Sequence, residues 1–444
     1  MQTTPKVTFK QINKLALPAL IAGIAEPLLS ITDTAIVGNV TQNPIEALAA
    51  VGIAGSFLSA LFWILAQTRS AISAIIAQYL GANRLSEIKT LPSQIIAINI
   101  ALSIFLYVLT LFFVESIFRL YNAEGLILNY SVSYYKIRAV GLPLTLFVFS
   151  VFGVFRGLQN TFWPMIISIV GATLNVFLDV VLVFGIEGLI PAMHIEGAAY
   201  ASVIAQGVMA IMALILMLKK TPFNLKLSLP FNKEIKRLLI LSLNLFIRAL
   251  ALNIALYFAN SFATKYGNNY IAAQTIAFQI WLFFAFFIDG YSSVGNIISG
   301  RLLGAKDYKN LWKLSKDLSK YAMVVALILG LVCTIFYKPI GSIFTDDSTV
   351  LASFYAVFWI VLLMQPLNAI AFVFDGLFKG LAEAVALRNT LLIATFFGFI
   401  PVLLIGDYFG LKLYAIWIAF SVWMFLRMLI LVVLFRRKYL ITKN

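Results

Sequence analysis

Long apolar runs, separated by short polar segments, recur along the whole chain. Each run is about as long as the ~20 residues that an α-helix needs to cross the hydrocarbon core of a membrane. A single strand cannot cross lipid with its backbone polar groups paired, so runs of this length indicate helices and an all-α integral membrane protein. We predict twelve transmembrane helices, at 13–38, 47–79, 92–114, 126–155, 163–185, 196–218, 237–263, 270–300, 318–337, 352–378, 387–406 and 412–435.

The composition agrees with a membrane protein and excludes several other classes. Hydrophobic residues make up 62% of the chain and charged residues only 11%, whereas soluble domains contain about 25% charged residues. A cytosolic enzyme, a secreted disulfide scaffold and a disordered chain are therefore excluded. The single Cys333 and the single His194 leave no Cys/His metal cluster, and the common nucleotide-binding and hydrolase motifs are absent from the sequence. We expect neither an enzyme nor a bound cofactor.

The basic residues lie mostly on one side of the predicted membrane. Polar segments on the side of the N-terminus contain 24 of the 33 Lys and Arg residues, whereas segments on the opposite side contain four. Cytoplasmic loops are enriched in Lys and Arg, so we expect both termini in the cytoplasm and a multi-pass protein of the cell membrane. The net charge of +15 then reflects topology, and we expect no nucleic-acid partner.

The chain divides into two similar halves. Residues 219–236 contain two prolines and no apolar run of spanning length, so we predict a first lobe at 1–218, a cytoplasmic linker at 219–236 and a second lobe at 237–444. Short stretches repeat at an offset of 223 residues, including GVFRGL at 153–158 and GLFKGL at 376–381. Six spans return the chain to its starting side. The two six-helix lobes are therefore expected to be related by a pseudo-two-fold axis along the membrane normal, with a cavity between them.

Four polar residues of the first half are predicted to share one depth in the membrane. At 1.5 Å of rise per residue, Asp33 lies in the outer half of the first span, and Asn175 and Asp179 lie at a similar depth in the fifth. Ala198 and Ser202 belong to the outer third of the sixth span. Buried charges in membranes are costly and usually face a partner or a cavity. The group is suited to hold H⁺ or Na⁺; the alternative is that the two carboxylates only anchor helix ends.

Five other residues are candidates for the substrate cavity or for gating. Glu26 faces either the cavity or a basic partner such as Arg69, and Pro18 produces either a static kink or a bend that changes with protonation. In the second half, Arg248 lies near mid-membrane and pairs with a carboxylate or contacts substrate. Asp289 and Asp375 are the intramembrane carboxylates of that half.

The residues resemble a known family, the multidrug and toxic compound extrusion (MATE) transporters, and within it the DinF-like branch. The resemblance covers nearly all twelve spans. It is carried by Pro18, DTAIVG at 33–38, LNVFLD at 174–179, EGAAYASV at 196–203, IDGYSS at 288–293, SGRLLGA at 299–305 and QPLNAIAFVFDGLFKG at 365–380 with Arg388-Asn389.

The resemblance implies a secondary antiporter that exports organic cations or related xenobiotics in exchange for H⁺ or Na⁺ by alternating access. It implies that Asp33 is the main coupling carboxylate, assisted by Asn175, Asp179 and Ser202, the last replacing the threonine of the family. An acidic residue that other members carry is Asn296 here. The expected partners are small organic molecules and the lipid bilayer, and we expect a monomer.

Four other functions remain to be considered. Members of the branch that move organic acids such as citrate suggest an organic-acid exporter of the same fold. A flippase for polyisoprenoid-linked lipids would need several basic residues in its cavity, whereas the candidates here are mostly acidic. An integral membrane enzyme would need a polar loop with paired carboxylates or a metal cluster, whereas the longest internal loop, 219–237, has Glu234 as its only acid. A channel is the fourth alternative, although no stretch resembles a selectivity filter.

Overall fold

The computed structural model describes residues 7–40 and 42–439, apart from the side chains of residues 25–31 and 34. Within these ranges, helices and connecting turns make up the chain, with one isolated antiparallel bridge between Ile186 and Ile190. The helices of the first half are α1 (Phe9–Val37), α2 (Pro44–Leu65), α3 (Gln67–Gly81), α4 (Leu91–Arg119), α5 (Gly125–Arg138), α6 (Leu142–Gly157), α7 (Phe162–Phe184) and α8 (His194–Lys220).

Nine further helices lie in the second half of the chain as far as Tyr439, the last described residue. They are α9 (Glu234–Tyr266), α10 (Asn268–Gly304), α11 (Tyr308–Ile335), α12 (Tyr337–Ser342), α13 (Ser348–Leu363), α14 (Gln365–Gly380), α15 (Ala384–Ile393), α16 (Ile400–Tyr408) and α17 (Leu413–Tyr439). A π-helical segment, Ala394–Phe399, joins α15 to α16.

Ten helical segments within the described residues are long and apolar enough to cross a membrane. The bent pair formed by α13 and α14 makes an eleventh if it is counted as one span. Helix α1, which contains the undescribed side chains, is not part of this count. The predicted class of an all-helical, multi-pass membrane protein is confirmed.

Two predicted spans are broken at equivalent positions of the two halves. Residues Ala139–Gly141 form a 3-10 turn between α5 and α6, and α6 begins with Pro143 in its first turn. In the second half, α13 ends before Met364 and α14 begins with Pro366 in its first turn, with a bend of 51° between the two helices. Proline has no N–H to donate to the preceding turn, so it begins a helix more readily than it continues one.

Contacts between Cα atoms divide the chain into two compact units. One unit consists of the described residues up to Ala16, Ala77–Asn83 and the described residues from Leu239 onward. The other consists of Leu17–Ile76 and Arg84–Leu238. We call them the C-terminal unit and the N-terminal unit. Segments of α1 and α3 belong to each, while the lobe boundaries at 218 and 237 stay a prediction.

The C-terminal ends of α3 and α10 cross at two glycines. A Cβ added to Gly81 would overlap the carbonyl oxygen of Arg301, and a Cβ added to Gly304 would overlap the carbonyl oxygen of Gln78. Gly81 and Gly304 are 223 positions apart, as are Gln78 and Arg301. The crossing is therefore reciprocal, with each repeat contributing the same two positions.

The glycine crossing predicts a position-specific loss of stability. We expect Gly304→Ala to lower the free energy of unfolding by about 1–3 kcal/mol, because the added methyl group forces two backbones apart. Gly330→Ala in α11 is the matched control, since a Cβ there meets no atom within 4 Å. Thermal unfolding of both purified variants in detergent measures the difference. Equal unfolding temperatures for the two would contradict the crossing.

Candidate functional site

The structure brings together the four polar residues that were predicted to share one depth. Asp33 comes from α1, Asn175 and Asp179 lie one turn apart on α7, and Ser202 lies on α8; all four are at most 4% exposed. The Ser202 hydroxyl donates to Asp33 Oδ2 at 3.1 Å, and the Asn175 amide lies 3.2 Å from Ser202 Oγ. The two carboxyl groups lie close enough to act on each other electrostatically. We call this group the carboxylate pair site.

The amide of Asn175 is placed to donate to both carboxyl groups. Its nitrogen lies 3.2 Å from Asp33 Oδ1 and 3.3 Å from Asp179 Oδ2, and its oxygen is turned to Ser202. Ionised carboxylates accept hydrogen bonds and cannot donate them, so this arrangement suits two bare carboxylates.

Small residues let α7 and α8 approach closely enough to form this site. A Cβ added to Gly197 would lie 2.6 Å from the carbonyl oxygen of Leu182, so only glycine fits there. Ala198, the next residue, is completely buried and lies one turn before Ser202. Small residues at helix interfaces are a common way to bring backbones together in membrane proteins. In this structure, Ala198 contributes packing at the site rather than a polar atom.

Two further residues at the site, Tyr134 and Arg138 on α5, were not selected from the sequence. The Tyr134 hydroxyl lies close to Asp33, and the Arg138 guanidinium acts electrostatically on both carboxylates. Arg138 also lies over the Phe62 ring at 5.6 Å. The position of Arg138 inside an apolar run is the feature of the sequence that could have identified it as a candidate. Asp179 Oδ1 is buried without a hydrogen-bond partner among the described residues.

The C-terminal unit contains a second buried charged cluster. Asp375 Oδ2 on α14 accepts from Arg248 on α9 and from Arg427 on α17, the latter at 2.9 Å. Asp375 is thus the carboxylate partner of Arg248. Arg427, which the sequence showed only as a basic residue inside the last span, is 1% exposed.

The remaining candidates lie away from both clusters or outside the described side chains. Asp289 on α10 is exposed and takes part in none of the ion pairs found in the described part of the chain. Pro18 is half-buried within the continuous helix α1, close to the point at Ala16 where the two units divide. The side chain of Glu26 is outside the described residues, so its predicted role stays a prediction.

Comparisons with known proteins agree with this architecture. The model of the MatE family matches the chain twice, at residues 18–181 and 245–409, once in each half, as expected of an internal repeat. The chain is 26% identical over 436 residues to DNA damage-inducible protein F of Escherichia coli, covering 97% of this chain and 92% of that protein. It is 24% identical to the multidrug export protein MepA of Staphylococcus aureus, covering 91% and 88%.

Solved structures show the same fold. A crystal structure of a MATE transporter in the bent conformation superposes with a TM-score of 0.90 at 19% identity, covering 97% of this chain and 95% of that one. A multi-pass helical fold with buried ionisable groups fits a membrane transport protein, and members of the matching family are transporters rather than enzymes. The chain belongs to the MATE family of efflux transporters. The predicted fold of twelve helices in two lobes is the fold of these structural neighbours.

Proposed function

We propose that the protein is a secondary antiporter that exports small organic compounds, organic cations or related xenobiotics, in exchange for H⁺ or Na⁺. Family membership supports small-molecule efflux across a membrane without a cofactor. The ion coupling is proposed from the carboxylate pair site. The observation that carries the proposal is the burial of Asp33 and Asp179 side by side, with one oxygen of Asp179 left without a partner.

The residues of the carboxylate pair site fit a monovalent cation. Asp33 and Asp179, when both are ionised, and Arg138 together carry one net negative charge, so one cation makes the group neutral. A proton suits two facing carboxyl oxygens, which can share it. A sodium ion would take oxygen ligands from the two carboxylates, the Ser202 hydroxyl and the Asn175 amide oxygen, all of which are hard donors.

Ion binding at this site provides a physical basis for exchange. With the site empty of ions, the Asn175 N–H groups and the Ser202 hydroxyl stabilise the two carboxylates. With an ion present, the two carboxyl groups bind the ion instead. A ligand shifts the equilibrium between two states of a protein only by the difference in its affinity for them. Substrate and ion are therefore exchanged if the substrate binds one of these two states more tightly and the ion binds the other. We propose that Asp33 ionisation and the bending of α1 near Pro18 distinguish the states.

The topology is also proposed. The distribution of Lys and Arg supports cytoplasmic termini on a protein of the cell membrane. A protein acting as a monomer fits the single-chain structural neighbours.

Efflux from proteoliposomes with separately imposed gradients tests the proposal. A fluorescent organic cation is loaded on the cytoplasmic side, and a pH gradient or a Na⁺ gradient is applied alone. We expect one of the two gradients to accelerate efflux and the other to have no effect. Efflux that responds to neither gradient, in liposomes shown to be sealed, would refute antiport.

The Ser202 hydroxyl is expected to contribute to ion affinity. Ser202→Ala removes the hydrogen bond to Asp33, so the half-saturating ion concentration should rise about fivefold, equivalent to ~1 kcal/mol. Ser202→Thr keeps the hydroxyl and is expected to stay close to the wild type. Ion-concentration dependence of efflux measures both variants. If Ser202→Thr were impaired as much as Ser202→Ala, packing rather than the oxygen atom would explain the effect.

Organic-acid export is the second candidate function. It is favoured by the two arginines that converge on Asp375, because their joint charge is positive.

A further inference from the structure

A cavity lies beside the C-terminal end of α17. It has a volume of about 340 Å³ and is lined by residues of α17 and of the segment where α14 ends and α15 begins, namely Phe378, Glu383, Ala386, Leu434, Arg437 and Lys438. All six belong to the C-terminal unit. Pockets that bind small molecules usually measure about 300–1,000 Å³, so the space suits part of a ligand of that size. We call it the α17 cavity.

Part of the lining of the α17 cavity is apolar. Phe378 is 1% exposed, and the centre of its ring lies 6.3 Å from that of Phe435, which is completely buried. Ala386 and Leu434 are half-buried apolar residues of the same lining. Covering an apolar surface of this kind with a hydrocarbon group is favourable, because the group removes the surface from water.

The exposed part of the lining carries a surplus of positive charge. The last turn of α17 contains Arg436, Arg437 and Lys438, and all three are exposed. Lys438 pairs with Glu383, the acidic residue of the lining. Arg436 and Arg437 make no ion pair with any described residue. The cavity therefore places an arginine without a counter-charge beside an apolar surface.

The turn beside the cavity has the same backbone hydrogen bond in both halves of the chain. The N–H of Glu383 donates to the carbonyl oxygen of Phe378 at 3.0 Å, and the N–H of Asn160 donates to that of Phe155 at 2.9 Å. The two pairs are 223 positions apart, which is the spacing of the internal repeat. Side chains that follow this turn can therefore be compared between the halves.

The first half has a tryptophan where the second half has an alanine. Trp163 and Ala386 are 223 positions apart, and each lies in the first turn of the helix that follows. The Lys220 ammonium, at the basic end of α8, lies over the Trp163 ring at 5.8 Å. The α17 cavity therefore lies where the first half places an aromatic ring under a basic side chain, and the small Ala386 side chain leaves that space open.

The length of α17 places the cavity at the surface of a membrane. The helix has 27 residues, which is about 40 Å, whereas the hydrocarbon core of a bilayer measures about 30 Å. Its charged last turn therefore lies among the lipid headgroups. Val385 and Val433, each next in sequence to a residue of the lining, are exposed apolar side chains that suit contact with acyl chains. With the proposed cytoplasmic C-terminus, this is the leaflet whose surface is negative.

We infer that the α17 cavity binds an anionic phospholipid. The phosphate accepts hydrogen bonds from the Arg437 guanidinium, which presents several N–H donors in one plane. The upper part of an acyl chain covers Phe378 and Leu434. Arg436 favours a headgroup with net negative charge over one whose ammonium group cancels the phosphate. A soluble phosphate compound would leave the apolar lining uncovered. The site lies outside the proposed transport cycle, and the inference does not depend on ion coupling.

Titration of the purified full chain in detergent with three probes tests the inference. Dioleoylphosphatidylglycerol is anionic, dioleoylphosphatidylcholine has the same chains and no net charge, and glycerophosphoglycerol is the anionic headgroup without chains. Native mass spectrometry measures the dissociation constant of the first bound molecule of each. We expect phosphatidylglycerol to bind at least about tenfold more tightly than the other two, because each basic residue at a membrane surface contributes about fivefold. Phosphatidylcholine or glycerophosphoglycerol binding as tightly as phosphatidylglycerol would overturn the inference.

Two variants remove the site by different means. Ala386→Trp introduces the ring that the first half carries as Trp163, so it fills the cavity and leaves every charge in place. Arg437→Gln keeps the cavity and removes the arginine. Each should bring the affinity for phosphatidylglycerol close to that for phosphatidylcholine. Arg119→Gln, at an exposed arginine of the N-terminal unit, changes the total charge equally and should keep the preference of the wild type.

A third variant should strengthen binding, which a damaged fold would not do. Glu383→Gln removes the negative charge from the lining, so phosphatidylglycerol should bind several-fold more tightly. Weaker binding by this variant, or a lipid preference that survives both Ala386→Trp and Arg437→Gln, would contradict the site. If Ala386→Trp does not fold, Arg437→Gln decides alone, because that side chain is exposed. Asp33→Asn should keep the lipid preference, so failed antiport would leave this inference standing.

Discussion

Replacing Asp33 by asparagine is expected to reduce gradient-driven efflux to the background of protein-free liposomes. Asparagine keeps the shape of the side chain but cannot be ionised, so the carboxylate pair site loses the charge that an entering cation neutralises. The hydrogen bond from Ser202 can still form to the amide oxygen, so the fold should be retained. Efflux driven by the effective ion gradient, measured at equal reconstituted protein, gives the result.

Two comparisons make the Asp33 prediction specific. Glu187→Gln removes an exposed carboxylate from a connecting segment of the same unit and should transport like the wild type. Asp179→Asn should also impair coupling, because the two carboxylates act on the same ion. Undiminished gradient-driven efflux by Asp33→Asn would refute the coupling role of the carboxylate pair site.

Asp375→Asn is expected to be the most destabilising single charge change in the C-terminal unit. It leaves two buried guanidinium groups side by side without a carboxylate. Breaking a buried ion pair by removing one partner typically costs about 3–5 kcal/mol, because the remaining charge stays buried. We expect low yields of monodisperse protein and a clear fall in unfolding temperature, measured by size-exclusion chromatography and thermal unfolding.

Asp289→Asn is the matched control for this second prediction. Asp289 is the other intramembrane carboxylate of the same half, but it is exposed and makes no ion pair among the described residues. Its replacement should change stability by less than about 0.5 kcal/mol. The double variant Asp375→Asn with Arg427→Gln should recover part of the lost stability, because it removes the repulsion between the two arginines. Equal stability of Asp375→Asn and Asp289→Asn would show that Asp375 does not stabilise the fold by pairing with the two arginines.

The common depth of the residues of the carboxylate pair site could be predicted from the sequence. The side chains that lie beside them on other helices could not. A fixed rise per residue places Asp33, Asn175, Asp179 and Ser202 at one height without any knowledge of packing. Arg138 was not among the residues predicted to form this site, because the span that carries it breaks just after it. Its side chain reaches the carboxylates only because α5 packs against α2 and α8, and α8 in turn packs against α7.

The choice between Asp289 and Asp375 as the partner of Arg248 shows the same limit. Both carboxylates lie in apolar spans of the second half, and the sequence does not favour either of them as the partner of Arg248. Asp375 faces the interior of its unit and Asp289 does not, and this depends on the rotation of α14 and α10 about their own axes. Rotation is fixed by contacts with helices that are distant in sequence, including the one that carries Arg427.

The sequence by itself determined the membrane class, the number and order of the spans and the internal repeat. These properties depend on local hydrophobicity along the chain and on residue identities at a constant spacing. Only the tertiary structure decided which buried charges meet, that Asp375 has two arginine partners and that Tyr134 and Arg138 join the carboxylates. Ion pairs and hydrogen bonds act over a few ångströms, so they depend on how helices pack and rotate against one another, which no local pattern records.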